Sequence, residues 1–400
     1  METMAVQVGV PVALLGFMST MWPLKHTLDL VRLRGAKPSG KRPVPVSEGK
    51  NKPSWGPLTP AGVQGMHYGD IFYAGFGLMV YLYTWPAAVS AQEWPSLAGF
   101  VGSWASLVLA RNLLLEVAFY EFWHQLLFGS LATDGITQHR YSEHNPYLPK
   151  EAGVKAQMSV WRERFWCTCG FCWSSLWECF IVHAWASGKI PACGGASGLA
   201  SADGSHGAGP FGTGCQMADL SLHDVTARPL LVLWFVLAFP ITTQFRGVHF
   251  FFVHRGMHPW FSFKRGLLDG DVGAFLYRHV HSLHHKSSNP GPWSSLSMHP
   301  VEHIFYFSCF ALAFIMPYHP LHLLCNKYHT DISALGGHDG YGPPGADDVG
   351  HYLHHTKFEC NYGFSFPNYL DRAFGTYDDG KKYEARRQER AAKSPDKKVK

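Results

Sequence analysis

Histidine is the residue whose number and spacing suggest chemistry in this chain. There are 24 histidines in 400 residues, and 16 of them lie between His249 and His355. Three stretches have the spacing of metal ligands: HRGMH at 254–258, HSLHH at 281–285 and HYLHH at 351–355. Side chains at positions i, i+3 and i+4 of a helix share one face, so each stretch is expected to direct two or three imidazoles at a common point.

Such convergent imidazoles predict a metal centre. Neutral imidazole is a good ligand for iron, zinc, copper and nickel. Eight of them exceed the four ligands of a tetrahedral zinc site, so we predict two metal ions with open coordination positions. We assign both metal binding and catalysis to His254, His258, His281, His284, His285, His351, His354 and His355.

Further histidines in the same region are interpreted as structural residues or as partners of the ligands. They are His249, His279, His299, His303, His319, His322 and His329. A ligating imidazole needs an acceptor for its second N–H group. Asp271, Glu302 and Asp339 are the candidate acceptors.

Several familiar enzyme motifs are missing from the sequence. There is no HExxH, which argues against a zincin protease. No GxGxxG opens a helix after a strand, and no GxSxG elbow is present, so neither a Rossmann cofactor domain nor a serine hydrolase is indicated.

Composition and hydropathy predict the elements that position the histidines. Charged residues make up 16% of the chain, aromatic residues make up 15%, and the mean hydropathy is −0.07. These values indicate a protein that is part membrane and part polar domain. Five apolar runs lie at 4–22, 69–90, 98–128, 166–187 and 228–253, and two half-length helices are expected at 304–316 and 321–334. We predict an all-α fold, a polytopic membrane helix bundle with a helical, histidine-rich cytosolic cap.

Charge sets the expected topology. Residues 25–52 and 381–400 each carry a net charge of +6, which places both segments on the cytosolic side of a membrane. The runs then cross out and back twice, and 304–334 forms a shallow hairpin, so all clusters after residue 253 face the cytosol. Charged residues within the run 98–128, Glu121 and His124 among them, are expected to pair inside the bundle. No basic patch accompanies a nucleic-acid-binding motif, so no nucleic-acid partner is expected.

These features divide the chain into five regions. We expect an anchor and basic loop (1–68), transmembrane helices (69–187), a glycine-rich flexible insert without a role (188–225), a catalytic domain (226–380) and a basic tail (381–400). Nine cysteines imply no disulfide framework. A pairing of Cys193 with Cys215 stays open, as does a zinc site at the cysteines of 167–179, for which small apolar packing residues are the alternative.

The motifs resemble those of the fatty acid hydroxylase / sterol desaturase superfamily of membrane di-iron enzymes. Beside the three histidine stretches, the resemblance rests on NPGPW (289–293), MHPVEH (298–303), GHDGYG (337–342) and NYGFSFPNYLDRAFGT (361–376). It covers about 245–380. The HDG segment is similar to that of sterol C5-desaturases and C4-methyl oxidases, and it adds His338 as a ninth metal ligand.

This resemblance implies a complete reaction system. It implies two iron ions, O2 as co-substrate, and electrons from an external cytochrome b5 and an NAD(P)H reductase. It also implies a lipid substrate and a multi-pass location in the endoplasmic reticulum membrane with a cytosolic C-terminus. The last residues, KKVK (397–400), look like a di-lysine retrieval signal.

Three functions remain open at this point. The first is oxidation of an unactivated C–H bond of a sterol, by hydroxylation or desaturation; the second is hydroxylation of a fatty acyl or alkyl chain. A histidine-rich zinc transporter is the alternative from another class, disfavoured because the clusters lie at span ends and in loops. The chain departs from sterol C5-desaturases in having the single His258 followed by Pro259, and in its glycine-rich insert. The substrate cavity is expected between 228–253 and 304–334, and the aromatics at 250–252 and 260 either line it or form an interfacial belt.

Overall fold

The computed structural model describes the parts of the chain from which the fold can be read. These are residues 73–81, 103–142, 145, 147, 158–186, 208–209, 212–213, 229–262, 264–316, 319–341, 349–363 and 369–380. The predicted anchor at 4–22, the basic segments at 25–52 and 381–400, and Cys193 with Cys215 lie outside these residues.

The described chain is helical, and the all-α prediction is confirmed. The one ladder among the described residues is a two-residue antiparallel pair in the glycine-rich insert, β1 (Ala208–Gly209) with β2 (Gly212–Thr213). The α-helices are α1 (73–81), α2 (Trp104–Leu127), α3 (Asp134–Thr137), α4 (Val160–Ala186), α5 (Pro229–Gly256), α6 (Val272–His279), α7 (Pro300–Phe307), α8 (Pro320–Gly336), α9 (Val349–Lys357) and α10 (Tyr369–Ala373). Short 3-10 turns lie at Leu267–Asp269, His281–Lys286, Pro292–Ser294 and Ser308–Phe314.

Two of the described helices are long and apolar enough to cross a membrane. They run over Val160–Ala184 in α4 and Val232–Gly256 in α5. The predicted run at 166–187 therefore begins earlier, because the polar first turn with Glu163 continues the helix toward its N-terminus. Both helices meet this criterion by their length and composition.

The two helices of the predicted half-length hairpin, α7 and α8, both pack against α5. Pro300 and Pro320 occupy the first helical positions of α7 and α8, where a missing N–H costs nothing. The imidazole Nδ1 atoms of His299 and His319 accept hydrogen bonds from backbone N–H groups of the first turns, at 3.2 and 3.0 Å. These two histidines are therefore helix caps, in agreement with a structural role.

One face of α2 carries polar side chains into the bundle interior. Asn112, Glu116, Tyr120 and His124 follow each other at four-residue intervals, and all four are buried. A four-residue interval keeps side chains on one stripe of a helix. Glu116 and His124 therefore face the protein interior, whereas Glu121 of the same run is partly exposed and pairs with Arg164 at 2.7 Å.

A buried ion cluster joins α2 to α8. The Lys327 Nζ lies 2.6 Å from Asp331 Oδ2 and also contacts Glu116 Oε1, and all three side chains are fully buried. The Ser174 hydroxyl of α4 donates to Asp331 Oδ2 at 2.8 Å. Three helices therefore meet at one lysine.

An aromatic core connects the bundle to the loops that follow α6. The Tyr120 ring lies 5.0 Å from that of Phe171 and 5.4 Å from that of Trp293, and all three residues are buried. Burial of each large side chain contributes roughly 1.5–3 kcal/mol. The NPGPW segment is thereby fixed against α2 and α4, which positions the histidine stretch that precedes it.

Candidate metal centre

The histidine stretches lie at the ends of elements that meet on one side of the bundle. His254 is in the last turn of α5, and His258 follows two residues after the helix ends. The HSLHH stretch forms the 3-10 turn at His281–Lys286, and HYLHH belongs to α9. His338 follows the C-terminus of α8, where its N–H donates to the carbonyl of Leu335 at 2.9 Å.

The structure brings all nine predicted ligands together in two adjacent groups. Within each group, one nitrogen of every imidazole lies within 4.8 Å of the others, and every member is buried. The five-histidine group consists of His254, His258, His281, His285 and His354. The four-histidine group consists of His284, His338, His351 and His355.

The sequence stretches do not correspond one to one with these groups. His354 joins the five-histidine group, whereas His351 and His355 of the same helix join the other. Residues four apart lie on almost the same stripe of a helix, while His354 and His355 point about 100° apart. Two imidazoles of each stretch therefore share a group, whereas the third histidine of 281–285 and of 351–355, His284 and His354, belongs to the other group.

The ring nitrogens face one another in a way that two neutral imidazoles cannot satisfy. The Nε2 atoms of His254 and His281 are 3.1 Å apart. Their Nδ1 atoms are already engaged, with the Tyr362 carbonyl and Glu302 Oε1, each at 2.7 Å. A ring that donates through Nδ1–H has only a lone pair at Nε2. Two lone pairs therefore face each other, and a cation between them would remove the repulsion.

The four-histidine group repeats this arrangement. The Nε2 atoms of His338 and His355 are 3.0 Å apart. The Nδ1–H of His338 donates to the Ala334 carbonyl at 2.6 Å, and that of His355 donates to the Ser287 carbonyl at 3.1 Å. In both groups, backbone carbonyls thus favour the tautomer with a proton on Nδ1 and a free lone pair on Nε2.

The spacing of these nitrogens fits coordination of one ion by each group. Neighbouring Nε2 atoms lie 3.0–3.3 Å apart across both groups. Two nitrogens bound at about 2.0–2.1 Å to one ion, at angles between a right angle and the tetrahedral angle, are about 2.8–3.4 Å apart. The donor set is all imidazole, which suits iron, zinc, copper or nickel rather than magnesium or calcium.

One of the three proposed carboxylate acceptors orients a ligand. Glu302 Oε1 accepts the Nδ1–H of His281 in a buried pair, the arrangement that fixes ring orientation and raises ligand basicity in metal sites. Asp271 instead accepts backbone N–H groups of Trp260, Phe261, Ser262 and Ala274 at 2.8–3.2 Å. Asp339 accepts the N–H of Tyr341 at 3.0 Å.

Backbone carbonyls supply other acceptors, which no residue type or motif in the sequence marks. The turn after α9 presents the carbonyl of Cys360 to His354 Nδ1 at 2.7 Å and that of Tyr362 to His254. Asn361 between them has φ of 54°, a left-handed conformation that asparagine tolerates. Asp371 holds the turn by accepting the N–H of Tyr362 at 2.8 Å.

Burial keeps the imidazoles outside the spans neutral. It lowers the pKa of His281 to about 3 and that of His338 to about 4, because an imidazolium loses its hydration there. The pKa values of His258, His284, His285, His351, His354 and His355 are lowered well below the usual value by the same burial and by neighbouring rings. A neutral imidazole is the form that binds metal.

The metal-free protein should become less stable as the pH falls below about 6.5. The unfolded chain takes up protons there, while the folded imidazoles, with pKa values near 3 and 4 at His281 and His338, do not. The chelator-treated protein, melted at pH 7.5, 6.0 and 5.0, should therefore show a melting temperature that decreases with each step. A constant melting temperature would contradict buried, neutral imidazoles.

A cavity lies directly beside both histidine groups. It is lined by Phe250 and Val253 of α5, Tyr306 of α7, and Ser333 and Ala334 of α8. This confirms the predicted position between the α5 run and the hairpin. Ligands from both groups also border it, namely His254, His281, His284, His338 and His351.

The four aromatic residues considered for this cavity, Phe250, Phe251, Phe252 and Trp260, do not share one role. Phe250 lines the cavity. Phe251 is buried, and its ring lies 5.2 Å from that of Phe374. Phe252 and Trp260 are about half exposed, at 53% and 45%, which is typical of belt residues.

Gly273 allows the turn with His258 to approach α6. A Cβ atom here would overlap the His258 carbonyl oxygen and lie 2.5 Å from the Trp260 ring. Gly273→Ala should therefore destabilise the fold by roughly 1–3 kcal/mol and weaken metal binding, measured by thermal melting and metal content. Gly256→Ala is the matched control, because its Cβ meets nothing within 4 Å. Equal behaviour of the two variants would contradict this expectation.

Other predicted pairings are structural. Glu121 accepts hydrogen bonds from Arg164 at 2.7 Å and from the Trp293 indole at 3.2 Å. His303 donates to the Leu296 carbonyl when Nε2 carries the proton, at 3.0 Å. Among the described residues, the possible metal groups contain no cysteine, and Cys167 and Cys179 are buried and unbridged.

Comparison with known proteins gives matches to the histidine-rich region. Residues 237–376 match the family model described as fatty acid hydroxylase. A Delta(7)-sterol 5(6)-desaturase of Gibberella zeae is 29% identical over 158 residues, which are 36% of this chain and 39% of the relative. Sphinganine C4-monooxygenase 2 of Arabidopsis thaliana is 28% identical over 139 residues, 32% of this chain and 49% of the relative.

These alignments cover part of each protein. A further probable Delta(7)-sterol 5(6)-desaturase, from Neurospora crassa, is 29% identical over 39% of this chain and 42% of its own length. The chain thus aligns with between about two fifths and one half of these relatives. No solved structure gives a significant match.

Proposed function

We propose that this chain, as a member of the fatty acid hydroxylase / sterol desaturase superfamily, is a membrane di-iron oxidoreductase acting on a lipid. It would use O2 to hydroxylate or desaturate an unactivated C–H bond. One observation carries the proposal: nine buried imidazoles form two adjacent groups, and five of them border one largely apolar cavity. Eight of the nine have an Nε2 atom 3.0–3.3 Å from that of a neighbour.

The histidine groups would hold one iron ion each. Bound iron would supply the O2-derived oxidant that an unactivated C–H bond requires. The chain's part is to keep the imidazoles neutral, oriented and out of bulk water. Glu302 and the carbonyls of Ser287, Ala334, Cys360 and Tyr362 orient them, and burial excludes water.

The cavity would hold the reacting part of the lipid. Phe250, Val253, Met257, Met298 and Tyr306 give it an apolar lining, while Ser295 and Ser333 give it polar edges. An apolar chain or ring placed there lies against ligands of both histidine groups. Exclusion of water would protect the oxidant from side reactions.

We favour a sterol as the substrate and an acyl or sphingoid chain as the second candidate. The sterol assignment rests on the HDG segment, in which His338 completes the four-histidine group, and on relatives named sterol desaturases. The relative named sphinganine C4-monooxygenase favours chain hydroxylation. Electrons would come from separate cytochrome b5 and NAD(P)H reductase proteins, and the enzyme would lie in the endoplasmic reticulum membrane with its histidine cap in the cytosol.

Two measurements test the proposal. Metal analysis of the purified full-length chain should give about two iron ions per chain; zinc alone would instead favour transport or a structural site. Lipid profiles of cells lacking the protein should show an accumulated sterol precursor. Altered acyl or sphingoid chains with normal sterols would move the assignment to the second candidate, and an unchanged lipid profile would contradict lipid oxidation.

A further inference from the structure

Glu163 is a buried carboxylate that none of the roles above uses. It lies in the first turn of α4, 1% exposed, at a helix end where a negative charge is favourable. Its Oε1 atom accepts the hydroxyl of Ser287 at 2.5 Å. This contact ties α4 to the histidine-bearing segment.

Ser287 connects this carboxylate to the metal centre. Its carbonyl oxygen accepts the Nδ1–H of His355, a member of the four-histidine group, at 3.1 Å. Ser287 and His355 are both fully buried. A single residue, Ser287, therefore connects the Glu163 carboxylate with the His355 imidazole. Ser287 and Glu163 are 124 positions apart in the chain.

The backbone alone holds Ser287 weakly. It ends the 3-10 turn at His281–Lys286, with φ of −87° and ψ of 68°, and its N–H reaches the His284 carbonyl at 3.3 Å. The side-chain bond to Glu163 is much shorter than that backbone bond. The direction of the Ser287 carbonyl, and with it the ring plane of His355, depends on the carboxylate.

Tyr147 adds a second constraint at the same place. Its ring approaches Gly291 of the NPGPW segment so closely that a Cβ there would lie 2.6 Å from it, and its hydroxyl has no hydrogen-bond partner among the described residues. The carboxylate therefore lies in a built, buried contact between α4 and the segment that follows HSLHH.

We propose that Glu163 is a positioning residue for the four-histidine group, acting through Ser287 on His355. It contrasts with Glu302, which contacts His281 of the five-histidine group directly. The two groups would thus each have a carboxylate support, one direct and one relayed by a serine. This inference rests on the proposed function, because it concerns the affinity of the second metal ion.

The test is a metal titration of the full-length chain. Wild type, Glu163→Ala, Glu163→Gln and Ser287→Ala are stripped with chelator and titrated with Fe2+ without oxygen, and bound iron per chain is counted by mass spectrometry. Glu163→Ala and Ser287→Ala should bind one ion normally and the other roughly 10–100-fold more weakly, the usual loss when an outer partner is removed. Glu163→Gln should recover much of this affinity, because its amide oxygen can accept the Ser287 hydroxyl.

Glu121→Gln is the matched control. Glu121 also binds the segment after HSLHH, through the Trp293 indole, but none of its hydrogen bonds reaches a ligand histidine. It should retain both ions. Two ions at wild-type affinity in Glu163→Ala, equal loss of both ions, or the same loss in Glu121→Gln would each overturn the inference. Fewer than two ions in the wild type would instead contradict the proposed function.

Discussion

Replacing His354 or His284 by alanine should abolish turnover while the protein still inserts into membranes. The two residues belong to different histidine groups, and both are buried. Loss of an outer partner alone costs about 10–100-fold in metal affinity or activity, so loss of a ligand should cost more than about a hundredfold. We expect each variant to keep about one ion per chain, measured by metal analysis beside the rate of substrate oxidation.

His279→Ala is the control for this pair. His279 lies in the last turn of α6, is exposed, and belongs to neither histidine group. It should retain activity and both ions. Near-normal activity in both ligand variants would show that these imidazoles do not hold a catalytic metal.

Lys327→Ala should destabilise the bundle by about 3–5 kcal/mol, because it leaves two buried carboxyl groups without their cation. Lys327 Nζ contacts both Glu116 and Asp331, and the three side chains are fully buried. The measurement is thermal melting of the purified protein in one detergent. The metal content of the folded fraction should stay near that of wild type, because the cluster is separate from the histidine groups.

A second variant separates charge loss from volume loss at this position. Lys327→Met keeps the length of the side chain and removes its charge, so it should melt close to Lys327→Ala if the uncompensated carboxyl groups dominate. Wild-type melting of both variants would show that the cluster contributes little. Arg164→Met offers a comparison at an ion pair that is partly exposed, at 21% and 35% for its two side chains, where the loss should be about 0–1 kcal/mol.

The sequence predicted which residues meet, because ligand chemistry restricts residue type and helical spacing restricts direction. The spacing of HSLHH and HYLHH was sufficient to predict that both stretches supply metal ligands. The division of their histidines between two groups could not be predicted, because it depends on how α9 and the 3-10 turn are rotated relative to the neighbouring elements. His338 was predicted as a ligand only from the resemblance to the family, because it is a single histidine after α8 and no second histidine lies at ligand spacing from it.

The supports of the site were harder to predict than its ligands. Four of the acceptors are backbone carbonyls, of Ser287, Ala334, Cys360 and Tyr362, and every residue has one of those. Glu302 was one of three carboxylates proposed as acceptors, and the structure places it on the imidazole of His281. Glu163 was not found, because its partner lies 124 residues away and only the packing of α4 on the cap brings the two together.

The all-nitrogen character of the centre has a consequence for how the protein acquires its metal. The nine converging donors are imidazoles, with no oxygen donor among the grouped residues. For such ligands, divalent copper and zinc are held more tightly than ferrous iron. Under the proposed function, the chain by itself would therefore bind copper or zinc in preference to iron from an equal mixture. Its active form would depend on the cell delivering ferrous iron in excess at the time of folding, before burial closes the centre to exchange.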